Sequence, residues 1–171
     1  MKDNILHIVR FILFPVLQIL IFNNINLFGY LNPFIYLIPF ILLPVHINSI
    51  VIMILGFVVG LFIDFFSGVL GVHAAACVLA CALRSPIIYA FHNKREIKQN
   101  VIPKIRWFGT SQNIFYVLFF VLIHHTTMFF LEAFTFKYFF RTLLLIVSNT
   151  VLTSLLIILY QYLFHLEGSK N

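Results

Sequence analysis

The chain has 171 residues, of which 62% are hydrophobic and only 9% charged, with a mean hydropathy of +1.05. That composition excludes a soluble globular domain. Eleven Lys and Arg against five Asp and Glu give a formal charge of +6, which in so apolar a chain sets orientation in a bilayer and does not point to nucleic acid. A spanning helix takes about 20 apolar residues, so roughly six spans fit and roughly four dozen residues remain for connections. Any function therefore resides in the bilayer, in short connections or on the lipid-facing surface.

Taken in chain order, the apolar runs predict transmembrane helices at 5–25, 31–47, 49–67, 71–91, 113–133 and 139–164. The expected fold class is an all-α integral membrane bundle of six helices, forming one domain over 1–171. The first run has no small-residue cleavage site after it, so it is expected to be kept in the mature protein. The second run holds Pro33, Pro39 and Pro44. Prolines remove backbone donors, and such breaks survive in a bilayer only where neighbouring helices or cavity water satisfy the freed carbonyls. The second run is therefore expected inside the bundle. The third carries Gly56 and Gly60 in a G-x-x-x-G step, and the fourth is lined by Ala74, Ala75, Ala76, Ala80 and Ala82, so these two should approach closely. Gly68 and Gly71 lie in the tight turn between them, available for positive φ. Cys77 and Cys81 share a helix face and read as small packing residues.

Orientation follows from the cations. Lys2, Lys94, Arg95, Lys98, Lys104, Arg106 and Lys170 fall on one side, and Lys137 and Arg141 on the other. The positive-inside rule makes both termini and the basic 92–112 connection cytoplasmic. Arg10 is expected to snorkel to the cytoplasmic headgroups, and Arg84 either to snorkel or to pair within the bundle.

Given this topology, unusual polar residues gather toward the outer leaflet. Asn23 and Asn24 end the first span, Asp64 and Ser67 the third, His73 opens the fourth, and His124, His125 and Glu132 lie late in the fifth. Ionisable groups at membrane depth cost several kcal/mol unless paired or hydrated, so together they predict a hydrogen-bonded cluster or a small outward-facing cavity. Adjacent histidines point about 100° apart on a helix and do not chelate together, so neither metal nor cofactor is expected. A proton relay lacks a continuation toward the cytoplasm beyond Gln18 and Arg84, and helix cross-linking is the third reading. On the sixth span Asn149 and Thr153 share a face that could hold another helix of this chain or of a partner.

The run Gly60-Leu61-Phe62-Ile63-Asp64-Phe65-Phe66-Ser67-Gly68-Val69-Leu70-Gly71-Val72-His73-Ala74 resembles the signature of the rod shape-determining protein MreD family. Leu122-Ile123-His124-His125 with Phe129-Phe130-Leu131-Glu132-Ala133-Phe134, and Leu27-Phe28-Gly29-Tyr30 with Pro33-Phe34, resemble two further stretches of that family. The resemblance implies a non-enzymatic subunit of the bacterial cell-elongation machinery in the cytoplasmic membrane. It would bind the single-pass protein MreC, and indirectly the actin-like MreB, RodA and a class B penicillin-binding protein. It also implies a fold like the substrate-binding subunits of energy-coupling-factor transporters. Asp64, Ser67, Gly68, Gly71 and His73 match the motif, with no chemical role implied for any. The cations of the 92–112 connection would meet anionic lipid or a partner. The alternative function is a small-molecule capture subunit of a transporter, with ligand held at Asp64, His73 and His124. An intramembrane enzyme is least expected, since no Ser/His, Asp/Asp or H-E-x-x-H arrangement appears and Ser67 with His73 is a poor substitute.

Overall fold

A computed structural model describes residues 2–25, 27, 29–92, 101–103, 105–135 and 137–167. Lys94, Arg95, Lys98, Lys104 and Lys170 lie outside the described residues, so the expectation for the basic connection falls largely outside them as well. The described residues form α1 (Lys2–Leu20), α2 (Ile38–Ile41), α3 (Ser49–Ser67), α4 (Val72–Phe91), α5 (Ile105–Phe108), α6 (Thr110–Ala133) and α7 (Phe139–Glu167). Five stretches are long and apolar enough to cross a membrane: Ile5–Asn24, Ser49–Ser67, Val72–Phe91, Thr110–Ala133 and Phe139–Phe164. The chain is an all-helical, multi-pass membrane protein.

The run 31–47 does not form the helix its hydropathy predicts. It holds one 3-10 turn, Ile35–Leu37, followed by the single α-turn of α2. Each proline removes a donor and pushes the residue before it out of the α region, so Pro33, Pro39 and Pro44 leave only 34–38 and 40–43 uninterrupted. Neither is long enough for a stable helix. Isolated prolines behave differently, because one missing bond leaves the turns on either side intact: α1 continues through Pro15 and α4 through Pro86.

This broken segment nevertheless runs the length of the bundle. The C-terminal ends of α1 and α3 lie together, where Asn23 Nδ2 donates to Ser67 Oγ at 3.1 Å, so the two helices run the same way and the chain must return between them. Pro33 and Ile35 lie beside Gln18, late in α1, while Val45 N donates to Val101 O at 2.8 Å at the opposite end. We name the two ends for what marks them: the hairpin end, where α3 turns into α4, and the tail end, where α1 starts. Pro33 through Leu43 are all buried, as the sequence leads one to expect of a broken segment in a bilayer.

Around it α3, α4, α6 and α7 pack in sequence order. Lipid tails are as apolar as leucine, so contact shape decides helix approach. Gly60 lies against the backbone of His73 and Ala74, where a Cβ would overlap both, and a Cβ on Gly56 would come within 3.0 Å of Cys81 Sγ. The close α3–α4 approach expected from G-x-x-x-G is thus present, with Cys77 and Cys81 buried as free thiols. Gly68 (φ 70°) and Gly71 (φ 77°) both adopt the left-handed conformation that lets the chain reverse in so few residues.

Candidate functional site

At the hairpin end, α4 begins with Gly71 as its N-cap, a residue with no side chain to satisfy the first amides of the helix. Asp64, one turn before the end of α3, supplies that cap across the hairpin. Its Oδ1 accepts from His73 N at 2.9 Å and its Oδ2 from Ala74 N at 3.0 Å. The same Oδ1 lies 2.8 Å from His73 Nδ1, so the imidazole donates there and Nε2 is left facing away. A carboxylate at a helix N-terminus also meets the positive end of the helix dipole. Asp64 is buried and is the only carboxylate in an ion pair among the described residues.

Ser67 belongs to a second network, which starts on α1. Gln18 uses its whole amide: Nε2 donates to Asn23 Oδ1 at 3.0 Å and to Pro33 O at 3.1 Å, while Oε1 accepts from Ile35 N at 2.8 Å. Asn23 passes the connection on to Ser67 Oγ. Ser67 is therefore engaged with Asn23, and no Ser67–His73 hydrogen bond forms the serine–histidine pair weighed from the sequence. Asn24 donates only to Leu20 O and lies on the exposed rim.

The two histidines of α6 are buried. Tyr36 Oη and His124 Nε2 are 2.8 Å apart, and His125 Nδ1 donates to Val121 O at 2.9 Å. Phe34 stands among the imidazoles, its ring centroid 6.2 Å from His73, 6.3 Å from His124 and 4.9 Å from His125. His73, His124 and His125 are thus brought around one aromatic hub, with Asp64 attached through His73, but His124 bonds to Tyr36 and not to the Asp64–His73 pair. Glu132 is exposed and stands outside this cluster. It lines a cavity of about 430 Å³ with Asn23, Asn24, Asn32, Ser67 and His73 over a floor of Phe34 and Phe129. Among the described residues no three of His, Cys, Asp and Glu converge as a metal site requires.

Asn149 and Thr153 do share a face, but this chain occupies it. Asn149 Nδ2 donates to Tyr30 O at 3.1 Å, its Oδ1 accepts from Asn32 N at 2.8 Å, and Thr153 Oγ1 accepts from Phe34 N at 3.2 Å. The reading of this stripe as a partner-helix face is corrected: proline leaves the backbone near 30–34 without helical partners, and α7 provides them.

Sequence reasoning gave little weight to the residues that fasten the other half of the segment. Arg84 is 0% exposed. It donates through Nε to Tyr116 Oη at 3.1 Å, through Nη1 to Pro44 O at 3.5 Å and through Nη2 to Leu43 O, and Tyr116 Oη donates to Ile41 O at 3.1 Å. Of the two fates expected for Arg84, pairing within the bundle is the one observed, with carbonyls at the end of α2 instead of a carboxylate. A cation suits that position because unsatisfied carbonyls at a helix C-terminus carry partial negative charge. Polarity inside an apolar run was the available signal for both Gln18 and Arg84.

No protein-family profile matches the chain, and no curated protein or solved structure matches it either.

Proposed function

We propose that this protein is a non-enzymatic scaffold of the MreD type in a bacterial cytoplasmic membrane. In this reading it crosses six times, five times as helix and once as the broken segment, with both termini cytoplasmic and the hairpin end outward. The six-crossing bundle would then share the plan of the substrate-binding subunits of energy-coupling-factor transporters. The residues of the resembling motif support it through what each contributes: Gly60 allows contact, Gly68 and Gly71 reverse the chain, Asp64 caps α4 and Ser67 ties the hairpin to α1. Such roles belong to a rigid frame.

The observation that carries the scaffold reading is a lipid-facing groove of about 490 Å³ along α3 and α4, lined by Met53, Phe57, Gly71, Ala74, Ala75, Val78, Leu79 and Ala82. It rises about 17 Å from Gly71 to Ala82 at helical pitch. Small residues flanked by larger apolar ones admit a helix backbone closely. The occupant implied by the resemblance is the single transmembrane helix of MreC, through which MreB, RodA and a class B penicillin-binding protein would be reached. Ala75→Phe with Ala82→Phe should fill the groove, abolish co-purification of MreC and turn rod cells round, while the protein still accumulates. Undiminished co-purification with a filled groove would contradict the proposal.

The cavity at Asn23, Asn32, His73 and Glu132 favours a second reading, capture of a small polar molecule for transport. Native mass spectrometry separates the two: a stoichiometric small ligand supports capture, and a bound single-pass helix supports the scaffold.

A further inference from the structure

At the tail end, α1 and α7 carry two buried polar side chains with atoms that meet no partner among the described residues. Arg10 is 6% exposed, and neither its Nε nor its Nη1 reaches an acceptor. Gln161 is also 6% exposed, with both amide atoms unbonded. Arg10 is thus largely covered by the bundle.

The two helices meet beside these residues. Arg10 and Phe14 share a face of α1, and the Phe14 ring packs on Tyr160, the residue before Gln161, at 5.3 Å. Measured along the axis, Arg10 and Gln161 lie within about 8 Å of the tail-end limits of the apolar stretches Ile5–Asn24 and Phe139–Phe164. Both therefore lie just inside the level at which hydrocarbon gives way to headgroups. Helical side chains lean toward their own N-terminus, so Arg10 leans outward to that level.

Arg84 shows what this fold does with a guanidinium it means to bury: carbonyls and a tyrosine meet it. Among the described residues nothing comparable meets Arg10. Of the carboxylates whose side chains are described, Asp64 is committed to His73 and Glu132 lies at the hairpin end. A buried guanidinium calls for oxygen acceptors in a fork geometry, and a phosphate presents several with a compensating charge. An amide beside it can donate to a further phosphate oxygen or accept from a hydroxyl.

We propose that Arg10 and Gln161 form a phosphate-binding site between α1 and α7, with Arg10 as the fork and Gln161 as the second contact. The headgroup of an anionic phospholipid is the ligand in reach at that depth, and a soluble phosphate offers the same chemistry. The site does not depend on the scaffold reading or on which face of the membrane the tail end occupies.

Native mass spectrometry of the full-length protein, exchanged between phosphatidylglycerol and phosphatidylcholine, tests it. The wild type should retain one phosphatidylglycerol in preference to phosphatidylcholine. Arg10→Gln should lower that retention at least tenfold, Arg10→Lys less because a point charge replaces the fork, and Gln161→Leu several-fold. Displacement of the lipid by millimolar inorganic phosphate, with phosphate retained in its place, would assign the site to a soluble phosphate; resistance to it assigns the lipid. Equal retention of both lipids, or unchanged phosphatidylglycerol retention in Arg10→Lys and Gln161→Leu, overturns the proposal even if Arg10→Gln fails to accumulate.

Discussion

The hairpin end and the tail end of this bundle differ in how far their buried polar groups are met, although at the hairpin end His124 Nδ1 and His125 Nε2 also find no partner among the described residues. Near the hairpin, Asp64, Gln18, Asn149 and Thr153 each spend their hydrogen-bonding capacity on backbone that the turn or the prolines leave open. At the tail end Arg84 does the same, but Arg10, Asn113 and Gln161 are buried with side-chain atoms that nothing in the described chain meets. Hydrocarbon provides no substitute partner, and an unmet polar group there costs several kcal/mol. The first set reads as construction. The second reads as capacity held for something outside the chain, and substitutions in the two sets should differ in sign as well as size.

The largest effect is expected where there is no room at all. Gly60→Leu should abolish folded protein, seen as loss of the monodisperse peak in detergent, and Gly60→Ala should cost about 1–3 kcal/mol because even a Cβ must part α3 from α4. Next comes Arg84→Leu, which leaves the carbonyls of Leu43 and Pro44 unpaired in the core; a loss of about 2–4 kcal/mol should appear as a lowered thermal midpoint. Asp64→Ala exposes the amides of His73 and Ala74 to an apolar setting and should cost about 2–3 kcal/mol. Asp64→Asn, which keeps one acceptor oxygen, should lose less. Asn149→Leu should cost about 1–2 kcal/mol and speed hydrogen exchange at Asn32 while exchange within α6 stays unchanged. At the small end of the scale, Arg10→Met should leave detergent stability unchanged or raised, since it removes a buried cation that no internal group answers. A fall as large as that of Arg84→Leu would erase the contrast between met and unmet groups.

Much of the frame was legible because it rests on periodic greasiness and on glycine. Hydropathy marks 49–67 and 139–164 with the same bounds as the candidate spans, and Gly56, Gly60, Gly68 and Gly71 announce close approach and reversal through the one property glycine has. The three prolines announced internal packing of 31–47, yet the run was still expected to be helical. Hydropathy measures the cost of water and says nothing of where backbone donors go. The polar cluster was legible as a depth but not as a set of bonds. Nothing in the spacing of Asp64 and Asn149 tells which backbone each will meet, because those partners come from the first turn of α4 and from a segment over a hundred residues away. The cover over Arg10 was illegible for the same reason, since α1 alone does not tell which neighbours will bury it.

The central claim is that 31–47 carries the chain from the hairpin end to the tail end without a continuous helix. Single cysteines at Leu70, which is 97% exposed in the hairpin, and at His46, exposed just past the broken segment, can be labelled with a membrane-impermeant maleimide in sealed, oriented vesicles. The buried native thiols Cys77 and Cys81 add little background. Leu70→Cys and His46→Cys should react from opposite faces. Reaction of both from the same face would mean that the segment turns back within the bilayer, and would contradict the account.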